Sequence, residues 1–182
     1  MNLTIADLLT TSRILLIPPC LYGFYSPNLA IKKSALVLYI FLSVTDFLDG
    51  YYARISKTES KLGAILDPLA DKWFVLSSMI TLLDMKILKG LPILLIFITL
   101  FRETFVIGLR NIAALKKIDI PSSLSGKMKT LLQMFGLNFL FLNISIKTPC
   151  PLVYQAGMIM LILGTIFSLI SCRQYFRIFS KT

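Results

Sequence analysis

Long stretches of this chain carry no charged side chain, and this feature limits the possible folds more than any other. Residues 130–146 and 152–172 contain no Asp, Glu, Lys or Arg. A helix that crosses a bilayer needs roughly 20 mostly apolar residues. With 56% hydrophobic and only 15% charged residues, the chain is too apolar for a soluble domain, whose surface has to stay mostly polar. The sequence therefore predicts an integral membrane protein and excludes disordered and fibrous classes.

Turn and breaker residues divide the apolar stretches into separate helices. Clear examples are Ser26-Pro27-Asn28 and the segment Thr148-Pro149-Cys150-Pro151. The chain has 182 residues, which accommodates about six spans with short loops. We therefore predict an all-α integral membrane protein with a single domain over residues 1–182. Its six transmembrane helices are predicted at residues 3–25, 31–54, 61–84, 90–113, 128–146 and 152–177.

The distribution of positive charge predicts the orientation of these helices. The chain has 19 Lys and Arg, 9 Asp and Glu and no His, so its net charge is +10. An even number of spans places both termini on one side. Five cations fall in the loops of the other side and the remaining 14 on the side of the termini, so the positive-inside rule makes that side cytoplasmic. Anionic lipid headgroups explain the excess better than nucleic acid, which we do not expect such an apolar chain to bind.

Four of the nine acidic residues are spaced so that they can meet inside the membrane. Asp46 and Asp49 lie near the end of the second predicted helix, and Asp67 and Asp71 lie near the start of the third. Spacings of three and four residues place each pair on one helical face. Because the two helices are predicted to be antiparallel, the four carboxylates can converge at similar depths below the cytoplasmic surface.

Carboxylates at this depth repel one another and are costly to desolvate, so a compensating charge is expected. Carboxylate oxygens without His or Cys ligands suit Mg²⁺, Mn²⁺ or Ca²⁺. Small residues at Gly50, Ala53 and Gly63 allow a ligand or another backbone to approach closely. On spacing alone, an ion pathway or a buried salt-bridge network with neighbouring cations stays an alternative.

The same residues resemble the signature of the CDP-alcohol phosphotransferase (phosphatidyltransferase) family, D-x2-D-G-x2-A-R-x8-G-x3-D-x3-D. Every fixed position and both gaps agree. The matching residues are Asp46, Asp49, Gly50, Ala53, Arg54, Gly63, Asp67 and Asp71. This resemblance implies an enzyme that moves a phosphoalcohol group from a CDP-linked donor onto a hydroxyl acceptor and releases CMP.

The resemblance also implies a role for each matching residue. The four aspartates would bind the metal, Mg²⁺ or Mn²⁺, and the last of them, Asp71, would act as general base. The metal ligands are thus expected to be Asp46, Asp49, Asp67 and Asp71. The CDP-binding residues are expected to be Asp46, Asp49, Gly50, Ala53, Arg54, Gly63 and Asp67.

Further stretches resemble the bacterial phosphatidylglycerophosphate synthase branch of the family. One is the opening segment from Asp7 to Arg13 with Pro18 after it, although that branch usually has Asn in place of Asp7. The resemblance implies CDP-diacylglycerol as donor, glycerol-3-phosphate as acceptor and a homodimer. It also implies a multi-pass protein of the bacterial inner membrane, in contact with membrane lipids, whose active site faces the cytoplasm.

Four cations are candidates for binding the acceptor phosphate. Arg102 and Arg110 share one side of the fourth predicted helix, and Lys127 and Lys129 open the fifth, where the helix dipole also favours anions. The alternative for these residues is topology-setting charge and contact with lipid headgroups.

The alternative functions are of three classes. The least favoured is a structural membrane scaffold, which would leave the acids inside the membrane without compensation. Another member of the family would use a different acceptor: phosphatidylglycerol in a cardiolipin synthase, or inositol phosphate or serine. A non-enzymatic cation carrier would explain the four acids, but it gives no reason for the spacing of Gly50, Ala53, Arg54 and Gly63.

Overall fold

A computed structural model describes the backbone of residues 5–56, 63–90, 92–115 and 124–180. Side chains are described in the same ranges, except at residues 5–9, 46–56, 63–68, 114 and 178–180. Within these ranges all regular structure is helical, and the helices number six. They are α1 (Ile5–Gly23), α2 (Leu29–Ser56), α3 (Gly63–Asp84), α4 (Pro92–Leu115), α5 (Leu124–Ser145) and α6 (Pro151–Ser180).

The prediction of an all-α chain with six helices is confirmed, and the largest boundary difference is at the start of α5. This helix begins at Leu124, whereas the sequence predicted residue 128. Ser125 and Gly126 are poor helix residues, but the Ser125 hydroxyl bonds to Gln174 Oε1 of α6 at 2.7 Å. This tertiary contact stabilises an extra helical turn that local propensity does not favour.

Helix starts follow from residues that suit helix N-termini. The side chain of Asn28 accepts a hydrogen bond from the Ala30 backbone N–H at 2.9 Å, which caps α2. Pro92 and Pro151 open α4 and α6, where the absent backbone N–H of proline costs nothing. Asn143 accepts a bond from the Cys150 N–H at 2.8 Å, which ties the turn before α6 to α5.

Contacts between helices show that neighbours in sequence run in opposite directions. Arg13 lies beside Asp71 and Tyr25 beside Asp84, so α1 and α3 are parallel. Gly23 at the end of α1 lies against Ala35 near the start of α2, so α2 is antiparallel to both. On α4, Arg102 bonds to Ser168 and Arg110 to Tyr175, so α4 and α6 are parallel. Residues 99 and 103 of α4 meet residues 133 and 129 of α5, which is antiparallel to α4.

An aromatic cluster joins the first three helices to α5. Tyr39 lies between Phe74 and Phe141, with ring centroids 4.7 and 4.5 Å away, and Phe24 lies 4.3 Å from Phe141. Phe24, Tyr39 and Phe141 are 0% exposed. Large rings of this kind bury much apolar area each, so the cluster forms the centre of the core.

Helices α5 and α6 approach each other closely at glycines. A Cβ placed on Gly136 would lie 2.9 Å from the carbonyl oxygen of Gly157 and 3.0 Å from the backbone N of Leu161. Both neighbours are backbone atoms of α6, which cannot move aside as a flexible side chain can. Small residues at such crossings allow helix backbones to pack without a gap.

Two helices of the described part of the chain are long and apolar enough to cross a membrane, Pro92–Ala113 and Pro151–Arg177. Both also expose large apolar side chains outward. On α4, Phe97 is 61% and Phe101 is 71% exposed. Such surface is unfavourable in water and is compatible with lipid.

The close approach of α5 and α6 predicts that Gly136→Ala is destabilising. The added methyl group would overlap backbone atoms of α6, and overpacking of this kind costs about 1–3 kcal/mol. Thermal unfolding of the purified protein in detergent measures the effect as a lower midpoint.

The matched control is Gly108→Ala on α4. Nothing lies within 4 Å of a Cβ at Gly108, and alanine favours the helix by about 1 kcal/mol over glycine. This variant should keep or raise the midpoint. Equal midpoints for the two variants would contradict the packing argument.

Candidate active site

The residues singled out from the sequence lie towards one end of the bundle, where α2, α4 and α6 end and α1, α3 and α5 begin. We call this the charged end. The second half of α2 contains Asp46, Asp49, Gly50, Ala53 and Arg54. The first half of α3 contains Gly63, Asp67 and Asp71. Of these, only Asp71 has a side chain within the described residues, so the convergence of the four carboxylates stays a prediction.

Asp71 faces α1 at the charged end. Its Oδ1 lies 3.8 Å from Nη1 of Arg13. The Arg13 side chain is 4% exposed, whereas that of Asp71 is 47% exposed. A buried guanidinium thus lies in ion-pair range of a carboxylate that is still accessible, which favours one orientation of Asp71 while it can still contact a substrate.

Glu103 of α4 forms the centre of a buried ion cluster. Its Oε1 accepts a hydrogen bond from Arg102 Nη1 at 2.9 Å and pairs with the ammonium group of Lys129 on α5. Arg102 is 4% and Glu103 is 8% exposed. Two cations and one carboxylate leave a single positive charge, so most of the electrostatic cost of burial is offset within the cluster.

Arg102 also links the cluster to α6. Its Nε donates to the Ser168 carbonyl oxygen at 3.1 Å, and its Nη2 donates to Ser171 Oγ at 2.9 Å. With the bond from Nη1 to Glu103, each of the three nitrogen atoms of the Arg102 guanidinium donates to a different partner. The fork of donors on arginine suits such a multiple contact, which lysine could not reproduce.

Arg110 and Lys127 are the more accessible candidate cations. Both are exposed at the charged end. Arg110 Nη2 donates to the Tyr175 hydroxyl of α6 at 2.9 Å, and its guanidinium carbon lies 5.0 Å from the centroid of the Tyr175 ring. Lys127 lies in the first turn of α5, where the backbone N–H groups and the helix dipole favour an anion.

The structure thus divides the four cations predicted to bind the acceptor phosphate. Arg102 and Lys129 converge on Glu103, while Arg110 and Lys127 lie nearer to solvent. A role of any of the four in binding phosphate stays a prediction.

The donor set fits a hard divalent cation. The four aspartates lie on two antiparallel helices and offer oxygen ligands, and their positions are at the same end of the bundle. Asp71, the one carboxylate among them whose side chain is described, is accessible, with 47% of its side chain exposed. Mg²⁺ is typically held by a few carboxylates together with water and substrate phosphates.

Sequence reasoning missed the roles of Glu103, Arg13 and Tyr175. An acidic residue inside the apolar run of α4 is costly unless it is paired, and this signal could have indicated that Glu103 neutralises Arg102. The partner Lys129 lies 26 residues away, so the pair depends on the crossing of α4 and α5. No local pattern indicates that Tyr175 would meet Arg110.

Comparison with known proteins confirms the resemblance seen in the signature. The sequence model of the CDP-alcohol phosphatidyltransferase family matches residues 3–170. A protein of Rickettsia felis is 36% identical over 95% of this chain and 93% of its own length. A protein of Haemophilus influenzae is 31% identical over 98% of this chain and 94% of its own. A protein of Bacillus subtilis is 32% identical over 77% and 70%. All three are named CDP-diacylglycerol–glycerol-3-phosphate 3-phosphatidyltransferase.

The ion cluster predicts that Glu103→Gln strongly destabilises the protein. The substitution leaves Arg102 and Lys129 as two buried cations without their carboxylate, and breaking a buried pair in this way costs about 3–5 kcal/mol. The unfolding midpoint in detergent should fall accordingly.

The control for this prediction is the charge-balanced variant Glu103→Gln/Lys129→Met. It restores the net charge of the cluster to its original value and should recover part of the lost stability, because interacting residues are non-additive. If the double variant were as unstable as the sum of its two single variants, the pairing would not be the cause.

Proposed function

The chain belongs to the CDP-alcohol phosphatidyltransferase family, and from this premise we propose that it transfers the phosphatidyl group of CDP-diacylglycerol to glycerol-3-phosphate. The products are phosphatidylglycerophosphate and CMP. The observation that carries the proposal is the position of Asp71, accessible and oriented by Arg13, at the bundle end that also presents Arg110 and Lys127. The names of the relatives, which cover most of the chain, support the same donor and acceptor.

The membrane arrangement belongs to the proposal. All six helices cross the bacterial inner membrane as a single domain over residues 1–182, and both termini and the charged end face the cytoplasm. The excess of Lys and Arg on that side supports this orientation. The protein acts as a homodimer, as the family resemblance implies.

The donor nucleotide binds between α2 and α3. The residues that hold it are Asp46, Asp49, Gly50, Ala53, Arg54, Gly63 and Asp67. Members of the family are generally dependent on a divalent metal, and here Asp46, Asp49, Asp67 and Asp71 would hold Mg²⁺ or Mn²⁺. When bound, the ion offsets negative charge on the pyrophosphate and on the departing CMP.

The reaction joins the acceptor hydroxyl to the phosphorus that carries diacylglycerol. As the new P–O bond forms, the pyrophosphate P–O bond breaks and the bridging oxygen leaves with CMP. The Asp71 carboxylate takes the proton of the attacking hydroxyl, acting as general base. Arg13 orients this carboxylate through its contact with Oδ1.

The acceptor phosphate binds at the exposed cations of the charged end. Arg110 offers a fork of donors and Lys127 a point charge. Arg102 and Lys129 lie deeper in the ion cluster and complete the positive surroundings of the phosphate. These cations can bind the phosphate of a phosphorylated acceptor. An acceptor such as phosphatidylglycerol or serine has less need of so many cations.

An acceptor panel tests the function. The purified protein with CDP-diacylglycerol and Mg²⁺ should release CMP when offered glycerol-3-phosphate, and should do so poorly with phosphatidylglycerol, inositol phosphate or serine. Removal of the metal with a chelator should abolish release, and added Mg²⁺ or Mn²⁺ should restore it. Background rates with glycerol-3-phosphate would reject the assignment, and metal-dependent ion flux without CMP would favour a carrier.

Asp71→Asn tests the general base. The amide keeps the shape of the side chain but cannot accept a proton, and loss of general base catalysis lowers rates by about 100-fold or more. CMP release should fall by at least this factor, while the protein still inserts and unfolds cooperatively.

The control is Asp84→Asn, the same chemical change at the other end of α3. Asp84 is exposed and accepts a hydrogen bond from Tyr25, far from the proposed site. Its activity should stay close to that of the unmodified protein. Full activity in Asp71→Asn would contradict the assignment of Asp71 as the general base.

A further inference from the structure

The side chain of Tyr39 connects α2 to α3 inside the core. Its hydroxyl donates to Ser78 Oγ at 2.9 Å, and its ring stacks on Phe74 with centroids 4.7 Å apart. Tyr39 and Ser78 are both 0% exposed. Phe74 and Ser78 lie one turn apart on α3, so these two contacts fix how far α2 can slide along α3.

The Tyr39–Ser78 bond is equally distant from the innermost aspartate of each helix. Tyr39 lies seven residues before Asp46 on α2, and Ser78 lies seven residues after Asp71 on α3. Seven residues are about two helical turns, or about 10 Å. Because α2 and α3 are antiparallel, residues 46 and 71 lie at about the same height along the two helices.

The outer pair of aspartates follows the same register. Asp49 lies ten residues beyond Tyr39, and Asp67 lies eleven residues before Ser78. Their heights therefore agree to within about 1.5 Å, the rise of one residue. A slip of α2 along α3 by even one residue would change the separations within both pairs.

We propose that Tyr39 and Ser78 are positioning residues for the four-carboxylate site. Their hydrogen bond sets the register in which the aspartates of α2 meet those of α3, and with it the affinity of the site for a divalent cation. This inference rests on the proposed function, because it takes from it the carboxylates as metal ligands.

The packing of the helices explains why the side chain of Tyr39 sets the position of α2 relative to α3. Among the described residues, α2 packs mainly against α1 and α5, whereas α3 packs mainly against α1 and α4. Tyr39 bridges the distance between α2 and α3 with its ring and hydroxyl. Mg²⁺ demands near-ideal octahedral geometry at about 2.0–2.1 Å, so its affinity is sensitive to the relative position of two helices that share its ligands.

Tyr39→Phe removes the bond with little other change. The ring stays in the aromatic cluster, and Ser78 keeps a partner because its hydroxyl also donates to the Phe74 carbonyl oxygen at 2.6 Å. The readout is the unfolding midpoint of the purified protein as Mn²⁺ or Mg²⁺ is added without substrates. We expect the metal concentration that gives half of the maximal stabilisation to rise about fivefold. A change of this size corresponds to the net free energy of one hydrogen bond.

Tyr154→Phe is the matched control. The Tyr154 hydroxyl donates to the Ile87 carbonyl oxygen at 3.2 Å, so it makes a similar link between α6 and the turn after α3, at the opposite end of the bundle. This variant should lower the midpoint without metal but leave the half-saturating metal concentration unchanged. An equal change in metal affinity for both tyrosine variants would overturn the proposal, because the effect would then be general loosening.

Two variants of Ser78 keep the test decisive if Tyr39→Phe does not insert. Ser78→Thr retains a hydroxyl and should keep the metal affinity, whereas Ser78→Ala should weaken it as Tyr39→Phe does. Unchanged metal affinity in Ser78→Ala, with a normal titration of the unmodified protein, would overturn the register proposal alone. Absence of CMP release with glycerol-3-phosphate, with the metal titration intact, would overturn the proposed function alone.

Discussion

Glu103 accepts hydrogen bonds from two buried cations, and the packing of α4, α5 and α6 at the charged end depends on this one carboxylate. Arg102 and Lys129 approach it from two helices, and Arg102 extends the link to α6. A buried charge is tolerated in an apolar interior only where an opposite charge and hydrogen bonds offset its desolvation. The three helices are therefore held in one arrangement by these ion pairs and hydrogen bonds as well as by apolar packing.

The two halves of the bundle carry opposite kinds of chemistry. The first three helices carry the four aspartates, and the last three carry the four candidate cations. The helical residues of the first half also include five cations, which are Arg13, Lys32, Lys33, Arg54 and Lys72. This separation suits a reaction with two charged reactants, because a metal-bound pyrophosphate and an acceptor phosphate need different surroundings. Asp71 lies on the helix that borders both halves, since α3 packs against α1 and also against α4.

The helices could be predicted from sequence because their causes are local. Charge-free runs, prolines and polar turns mark the segments, and the carboxylate spacing depends only on helical periodicity. The sequence predicts too late a start for α5 because Ser125 is stabilised by a hydrogen bond to Gln174, a residue far along the chain. The partners of Arg102 on α6, and those of Arg110 and Asp71, could not be predicted for the same reason, since each of these contacts depends on how two helices cross.

The glycine contact between α5 and α6 has a consequence for the route of the lipid. Where a methyl group does not fit between two backbones, an acyl chain cannot pass. At this crossing, in the half of the bundle away from the charged end, a lipid tail has no passage between α5 and α6. Among the described residues, α2 and α3 meet through the side chain of Tyr39 rather than by such close backbone contact.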